Sequence, residues 1–192
     1  MASEHISWTA NCVLGNKPAT FASLCAFFES SSWCLSPLCV ETGTTYTGAG
    51  ADLVLTTTNN LASLCSRTGG RLVSFDIDEE HQNFARALCG ASSPVEFVLG
   101  DSVEQLAKYP FDKTGGIDLL CLDSKEFDPP HMVNEYRAIE RHLKPSHIVL
   151  VDDIHNPNSV KWVEMVPLLK ALGYEWFELG TTTGMLVARQ VG

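Results

Sequence analysis

The chain has 192 residues, 45% of them hydrophobic and 19% charged, with a formal net charge of −10. That is enough apolar material for one domain with a full core, and it excludes a disordered chain. So acidic a surface repels phosphate backbones, no dense Lys/Arg run relieves it, and the apolar runs are too short to span a bilayer, so neither nucleic acid nor membrane is expected as a partner.

The start, Met1-Ala2-Ser3-Glu4-His5, lacks the basic residues and apolar block of a signal peptide. The seven cysteines (Cys12, Cys25, Cys34, Cys39, Cys65, Cys89 and Cys121) are odd in number and form no C-x-x-C pair. Most fall in apolar stretches, which points to small buried hydrophobes in a reducing, cytoplasmic setting rather than to zinc ligands or a nucleophile.

Residues 1–18 are loosely patterned, with Trp8 and Pro18 as possible anchors. Thr20 to Ser30 reads as a helix whose apolar stripe is Phe21, Leu24, Cys25 and Phe28. A first strand at Leu38–Glu41 runs into a glycine-bearing turn, Thr42-Gly43-Thr44-Thr45-Tyr46-Thr47-Gly48-Ala49-Gly50. A helix is expected from Ala51 to Cys65 despite the β-branched run Thr56-Thr57-Thr58, and Gly69-Gly70 closes the unit. The second strand, Arg71–Asp76, ends on a carboxylate, and Asp78-Glu79-Glu80 opens the next helix, where acids suit the positive end of the dipole. A third strand is expected at Val95–Leu99, followed by Gly100-Asp101-Ser102 and a helix to about Lys108. Strand four spans Ile117–Asp123. A helix opens at Pro129 or Pro130 and runs to about Leu143; strand five is His147–Asp152. A helix at about Ser159–Leu172 precedes strands at Glu175–Leu179 and Met185–Arg189.

Strands alternate with helices, and runs such as Leu119-Leu120-Cys121-Leu122 and Ile148-Val149-Leu150-Val151 are continuously apolar. That predicts an α/β fold: a Rossmann-like, seven-stranded, mostly parallel sheet with helices on both faces. The last two strands have only the turn near Thr181–Gly184 between them, so they form a hairpin with one antiparallel strand. Ligands of such sheets bind outside the carboxyl ends of the strands. Glu41 ends an apolar strand, where a charge is costly unless paired, and Asp76 is placed to accept hydrogen bonds from a ribose diol.

With this first motif and the closing hairpin, the chain resembles the class I S-adenosylmethionine-dependent methyltransferases, most of all the small-molecule O-methyltransferases of the catechol type and their macrolide and sugar relatives. Val40-Glu41-Thr42-Gly43-Thr44, Val73-Ser74-Phe75-Asp76-Ile77, Val98-Leu99-Gly100-Asp101-Ser102, and the pair Leu122-Asp123 and Val151-Asp152-Asp153 carry the likeness. The resemblance implies one domain over residues 1–192, with an N-terminal extension and helix at 1–36 and the core at 37–192. It implies cofactor contacts at Glu41, Gly43, Thr44 and Gly48, ribose binding at Asp76 with Ile77 beside it, and adenine contacts at Asp101 and Ser102. Asp123 would lie near the sulfonium or a metal.

Two features depart from the family. Four residues rather than three separate Gly43 from Gly48, and Lys125 follows Asp123 by two residues where catechol-type members place a lysine base after three.

Strands four and five are neighbours in this topology, so Asp123, Asp152 and Asp153 are expected to converge. Their repulsion would be relieved by a divalent cation such as Mg²⁺, or the acids would serve as loop and turn formers. Lys125 or His155 is a candidate base, with His131 and Asn156 as lesser ones. Asp128-Pro129-Pro130-His131 mimics a motif of amino-methylating enzymes but reads as a turn and helix start. Trp33, Trp162 and Trp176 are expected to pack.

The function expected is methyl transfer from S-adenosylmethionine to an oxygen of a small-molecule acceptor, with divalent metal assistance and a possible homodimer. A non-catalytic cofactor or protein binder and an NAD-dependent oxidoreductase are the alternatives.

Overall fold

In the computed structural model, which describes Leu24, Cys25, Phe28 and residues 35–44, 56–181 and 183–190, the apolar runs line up as one seven-stranded sheet. The strands are β1 (Leu38–Thr42), β2 (Arg71–Asp76), β3 (Val95–Leu99), β4 (Ile117–Leu122), β5 (Leu143–Asp152), β6 (Tyr174–Leu179) and β7 (Met185–Gln190). Their order is β3-β2-β1-β4-β5-β7-β6. All pairs are parallel except those of β7, which runs antiparallel to β5 and β6. The expected architecture therefore holds, closing hairpin included.

Successive side chains of a strand point to opposite faces, and each face here meets apolar partners. Leu38, Val40, Val73, Phe75, Leu120, Leu122, Val149 and Val151 share one cluster; Cys39, Leu72, Leu119, Cys121, Ile148 and Leu150 share the other. Two-sided burial explains why the central strands read as unbroken hydrophobic runs. Cys25, Cys39, Cys65 and Cys121 are buried among the described residues, as expected, while Cys12 and Cys34 lie outside them. Burial pushes the Cys121 thiol well above its ordinary range, which suits packing rather than nucleophilic use. One polar tie crosses the sheet: Asp118 accepts from the Leu38 N–H at 2.9 Å and from the Lys144 ammonium at 2.8 and 2.9 Å.

The helices are α1 (Thr57–Thr68), α2 (Glu79–Cys89), α3 (Ser102–Lys108), α4 (Pro129–Ile139) and α5 (Met165–Ala171). Several boundaries differ from expectation. Thr56 is extended (φ −71°, ψ 147°) and α1 starts at Thr57; residues 51–55 of the expected helix lie outside the described residues. The β-branched threonines Thr56, Thr57 and Thr58 are poor helix formers, which favours a boundary there. At its other end α1 continues to Thr68, where Gly69 at φ 71° supplies the left-handed stop.

Helix α4 ends at Ile139, a 3₁₀ turn spans Glu140–His142, and β5 begins at Leu143 rather than His147. The helix expected at Ser159–Leu172 is only Met165–Ala171. Residues 159–164 are instead held by longer-range bonds, among them Val160 N–H to the Glu126 carbonyl at 2.9 Å. Asp128 does precede Pro129 at the first position of α4, as the turn reading required.

Of the helix expected at Thr20–Ser30, Leu24, Cys25 and Phe28 are helical and buried; the rest of it, Trp8, Trp33 and Gly48 lie outside the described residues. Trp162 packs against the core, whereas Trp176 is 37% exposed. No helix among the described residues is long and apolar enough to cross a membrane.

Candidate active site

Strand order reverses between β1 and β4, and the carboxyl ends of the strands part there, which is where open α/β sheets hold ligands. A cleft of about 550 Å³ opens at this edge, within the usual range for small-molecule sites. Gly43, Thr44, Asp76, Ile77, Asp101, Ser102, Asp123, Lys125 and Asp153 border it, so most residues singled out in the sequence come together.

Asp76 forms the centre of one half. Its Oδ2 accepts from the Thr44 N–H at 2.8 Å, and its Oδ1 accepts from the Asp78 N–H at 2.8 Å. The loop after β1 and the start of α2 are thus both tied to the carboxylate that ends β2. Beside it Ile77 is 70% exposed on the cleft wall, apolar surface that a flat ring would cover.

Asp101 caps α3 through the Glu104 N–H at 3.3 Å and lies 3.5 Å from the Lys125 ammonium. Burial acts to raise the Asp101 carboxyl, but the Glu104 N–H and Lys125 outweigh it and hold it below the ordinary range.

Gly43 is where the backbone freedom of glycine is needed. It sits at φ 81°, and a Cβ there would lie 2.2 Å from the Asp123 carbonyl oxygen. The chain passes so closely because Gly43 N–H bonds the Phe75 carbonyl at 2.9 Å while Asp123 N–H bonds the Thr42 carbonyl at 3.0 Å. Gly43→Ala is expected to cost at least ~2 kcal/mol through backbone strain and displacement of Asp123, measurable by urea unfolding.

Glu41 does not border the cleft. It is fully buried behind it, with Oε2 accepting from Thr58 Oγ1 at 2.8 Å and Ser74 Oγ at 2.7 Å. Its Oε1 has no hydrogen-bond partner among the described residues. Burial pushes this carboxyl up to about 8, the two hydroxyl bonds pull it down, and the Asp76 charge adds to the rise.

Sequence reasoning missed Glu135, which is fully buried on α4. It accepts from Thr42 Oγ1 at 3.1 Å, from Ser124 Oγ at 2.5 Å and from Ser102 Oγ, and His131 Nε2 lies 3.3 Å away. One carboxylate therefore fastens the end of β1 and the loop after β4 to the start of α3. The signal was present: Glu135 falls between Met132, Tyr136 and Ile139, on the apolar stripe of its helix. Ser102 and His131 are bonded to each other at 2.9 Å at the cleft wall.

The acidic cluster also differs from expectation. Asp123, Glu126 and Asp153, not Asp152, bring one oxygen each to within 4.8 Å of the others. Asp152 still belongs to β5, while Asp153 turns away at φ 63°. Burial, then the Asp153 charge, pushes the Asp152 carboxyl up to about 6.

The cluster is built around Lys161, also missed, whose side chain is fully buried. Its ammonium donates to Asp123 Oδ1 at 2.5 Å, Glu126 Oε1 at 3.0 Å and Asp153 Oδ2 at 3.0 Å. Burial acts to lower the pKa of this lysine, but Asp123 and Asp153 outweigh it and raise it. A Mg²⁺ ion bonds carboxylate oxygens at about 2.0–2.1 Å and would need the place that Nζ holds. The residues as arranged do not fit the divalent cation expected from the sequence.

His155 lies outside the cleft, its ring 2.9 Å from Glu178 on the surface. Lys125 borders the cleft with φ 37°. Lys125 and Asp153, both at the cleft, are two of three non-glycine residues with positive φ among the described residues, and backbone strain concentrates at working sites.

A methyltransferase-domain family matches residues 40–154, more than half of the sequence and all four of the motif segments. The chain belongs to this family of methyltransferase domains. No curated protein sequence matches the chain. Among solved structures it is similar to CalS11, a TDP-rhamnose 3′-O-methyltransferase of calicheamicin biosynthesis, with a TM-score of 0.63 and 16% identity over 88% of this chain and 76% of that one. It is also similar to the S-adenosylhomocysteine-bound Podospora anserina methyltransferase PaMTH1, with a TM-score of 0.61 and 13% identity over 89% and 78%. MycE, from mycinamycin biosynthesis and in complex with Mg, S-adenosylhomocysteine and mycinamycin VI, matches at a TM-score of 0.53 and 11% identity over 80% and 44%. At these identities the likeness is one of fold.

Proposed function

We propose that this methyltransferase domain transfers a methyl group from S-adenosylmethionine to an oxygen of a small-molecule acceptor. The observation that carries the reading is Asp76: a carboxylate directly ending β2, bonded to the Thr44 N–H and facing a cleft beside exposed Ile77. That is the chemistry a ribose diol and an adjoining adenine require.

The charge of the cleft supports a sulfonium over a dinucleotide. Asp76, Asp78, Asp101, Asp123, Glu126 and Asp153 line it against one lysine, Lys125. Such a wall attracts a cation and repels a pyrophosphate, which disfavours NAD. The unpartnered Glu41 Oε1 behind Thr44 fits a polar, ammonium-bearing tail placed beyond Gly43. The small-molecule acceptor is supported by CalS11, whose name specifies a sugar hydroxyl, and by MycE, which holds a macrolide.

When bound, S-adenosylmethionine supplies a methyl group on a sulfonium, which an oxygen displaces in line. The protein's part is to align the nucleophile and accept its proton. Asp76 and Ile77 hold the nucleoside end, with Asp101 and Ser102 flanking it. Asp123 is the proton acceptor: it borders the cleft at 23% side-chain exposure, and burial followed by the Asp152 charge raises its carboxyl against the pull of Lys161. Lys125, at the cleft mouth, helps to hold the acceptor.

The test is transfer of a labelled methyl group to a panel of phenols, diols and sugar hydroxyls. A labelled oxygen product supports the reading; tight cofactor binding with no product on any member favours the non-catalytic binder. Asp123→Asn is expected to lower kcat about 10²-fold and to abolish its rise with pH through a carboxyl titration. S-Adenosylhomocysteine affinity should stay within about threefold, because the amide still faces Lys161.

A further inference from the structure

We propose that the Lys161 ammonium is the resident cation of the Asp123–Glu126–Asp153 cluster, standing where a divalent metal would otherwise stand, so that this chain binds and works without one. The inference rests on the methyltransferase reading for its functional half; the cation half stands on geometry alone.

Three observations carry it. The three carboxylate oxygens that converge all accept from one Nζ, at 2.5, 3.0 and 3.0 Å. An ammonium has three protons, so the three acceptors use its full donor capacity. The side chain that delivers it is fully buried, whereas the carboxylates keep 13–41% exposure toward the cleft. The cation therefore lies beneath the acids and is shielded from exchange.

The backbone is built to keep it there. Val160 N–H bonds the Glu126 carbonyl at 2.9 Å, which joins the segment bearing Lys161 to the loop after β4. Asp153 leaves β5 at φ 63° and brings its own carboxylate in from the other side. Lys161 is thus a positioning residue that fixes the loops after β4 and β5, and Asp123 with them. A lysine does this with one charge and no bound ion, so the geometry persists in the presence of chelators.

The experiment is a Mn²⁺ titration followed by electron paramagnetic resonance on the wild type, Lys161→Ala and Lys161→Met, with a parallel S-adenosylhomocysteine titration of the wild type in EDTA and in Mg²⁺. The wild type is expected to bind no Mn²⁺ below roughly 1 mM, the weak end for oxygen-ligand cation sites. Lys161→Ala should gain one Mn²⁺ at least ~10-fold more tightly, because three neighbouring carboxylates lose their cation and a divalent ion relieves their repulsion. Wild-type S-adenosylhomocysteine affinity should be the same in EDTA and Mg²⁺.

One Mn²⁺ bound to the wild type in the micromolar range would overturn the proposal. So would folded lysine variants that gain no ion. If both variants fail to fold, the wild-type Mn²⁺ titration still decides. Failure of the cofactor reading shows separately, as absence of S-adenosylhomocysteine binding in either buffer.

Discussion

Glu41→Gln raises the stability of the ligand-free protein at pH 8.5 by on the order of 3–4 kcal/mol, because it removes a buried charge from behind the cleft. The wild-type carboxyl is fully buried and its pKa is pushed from 4.5 up to about 8. Because the folded state binds this proton more tightly than the unfolded chain, the contribution of Glu41 is most favourable below the unfolded pKa. It is lost progressively as pH climbs from about 4.5 to about 8.

The glutamine oxygen can still accept from Thr58 and Ser74, so the packing and both hydroxyl bonds survive. The amide has no charge to desolvate. Urea unfolding at pH 5.5 and 8.5 checks this: the wild type weakens across the interval, with Asp152 contributing in the same direction, while the variant loses the Glu41 part. A variant less stable than the wild type at pH 8.5 would contradict the assignment. The same change is expected to weaken cofactor binding, a trade of stability for function.

Asp76→Ala lowers S-adenosylhomocysteine affinity by about 10³-fold, the loss of two hydrogen bonds to a charged group at about 1.5–3 kcal/mol each. Since Asp76 also accepts from Thr44 and Asp78, part of the loss comes through the loop after β1. Asp76→Asn separates the two effects, because its carbonyl keeps one backbone bond while the charge is gone. It is expected to fall between wild type and alanine in a calorimetric titration. Affinity within about threefold of wild type for both variants would remove Asp76 from the site.

The parts of this site that could be read from the sequence are those whose geometry is local. Asp76 directly ends a strand and Gly43 directly follows one, so strand periodicity alone places them at the ligand-binding edge of the sheet. The Asp128-Pro129-Pro130 turn is likewise local chemistry. Lys161 and Glu135 were harder to read for a common reason: a charge on an apolar stripe shows that a partner is needed, while the partners that matter most are distant in sequence.

Lys161 meets Asp123 across 38 residues, and Glu135 meets Thr42 across 93. The segment around Lys161 also has the apolar spacing of a helix, yet Lys161 is tied to three carboxylates and the helix begins only at Met165. The swap of Asp152 for Glu126 has the same origin. Asp152 and Asp153 are adjacent in sequence, but a strand residue and the left-handed residue after it cannot aim at one point. The place of His155, outside the cleft, is set by loop geometry, which carries no periodic signal.

The most direct test is an isothermal titration of the wild-type protein, in EDTA, with S-adenosylmethionine, S-adenosylhomocysteine and NAD in turn. The two adenosyl sulfur compounds should each bind one to one with a Kd of roughly 1–100 μM, and NAD should give no binding at ~1 mM. No heat from either sulfur compound, or tighter binding of NAD, would contradict the account.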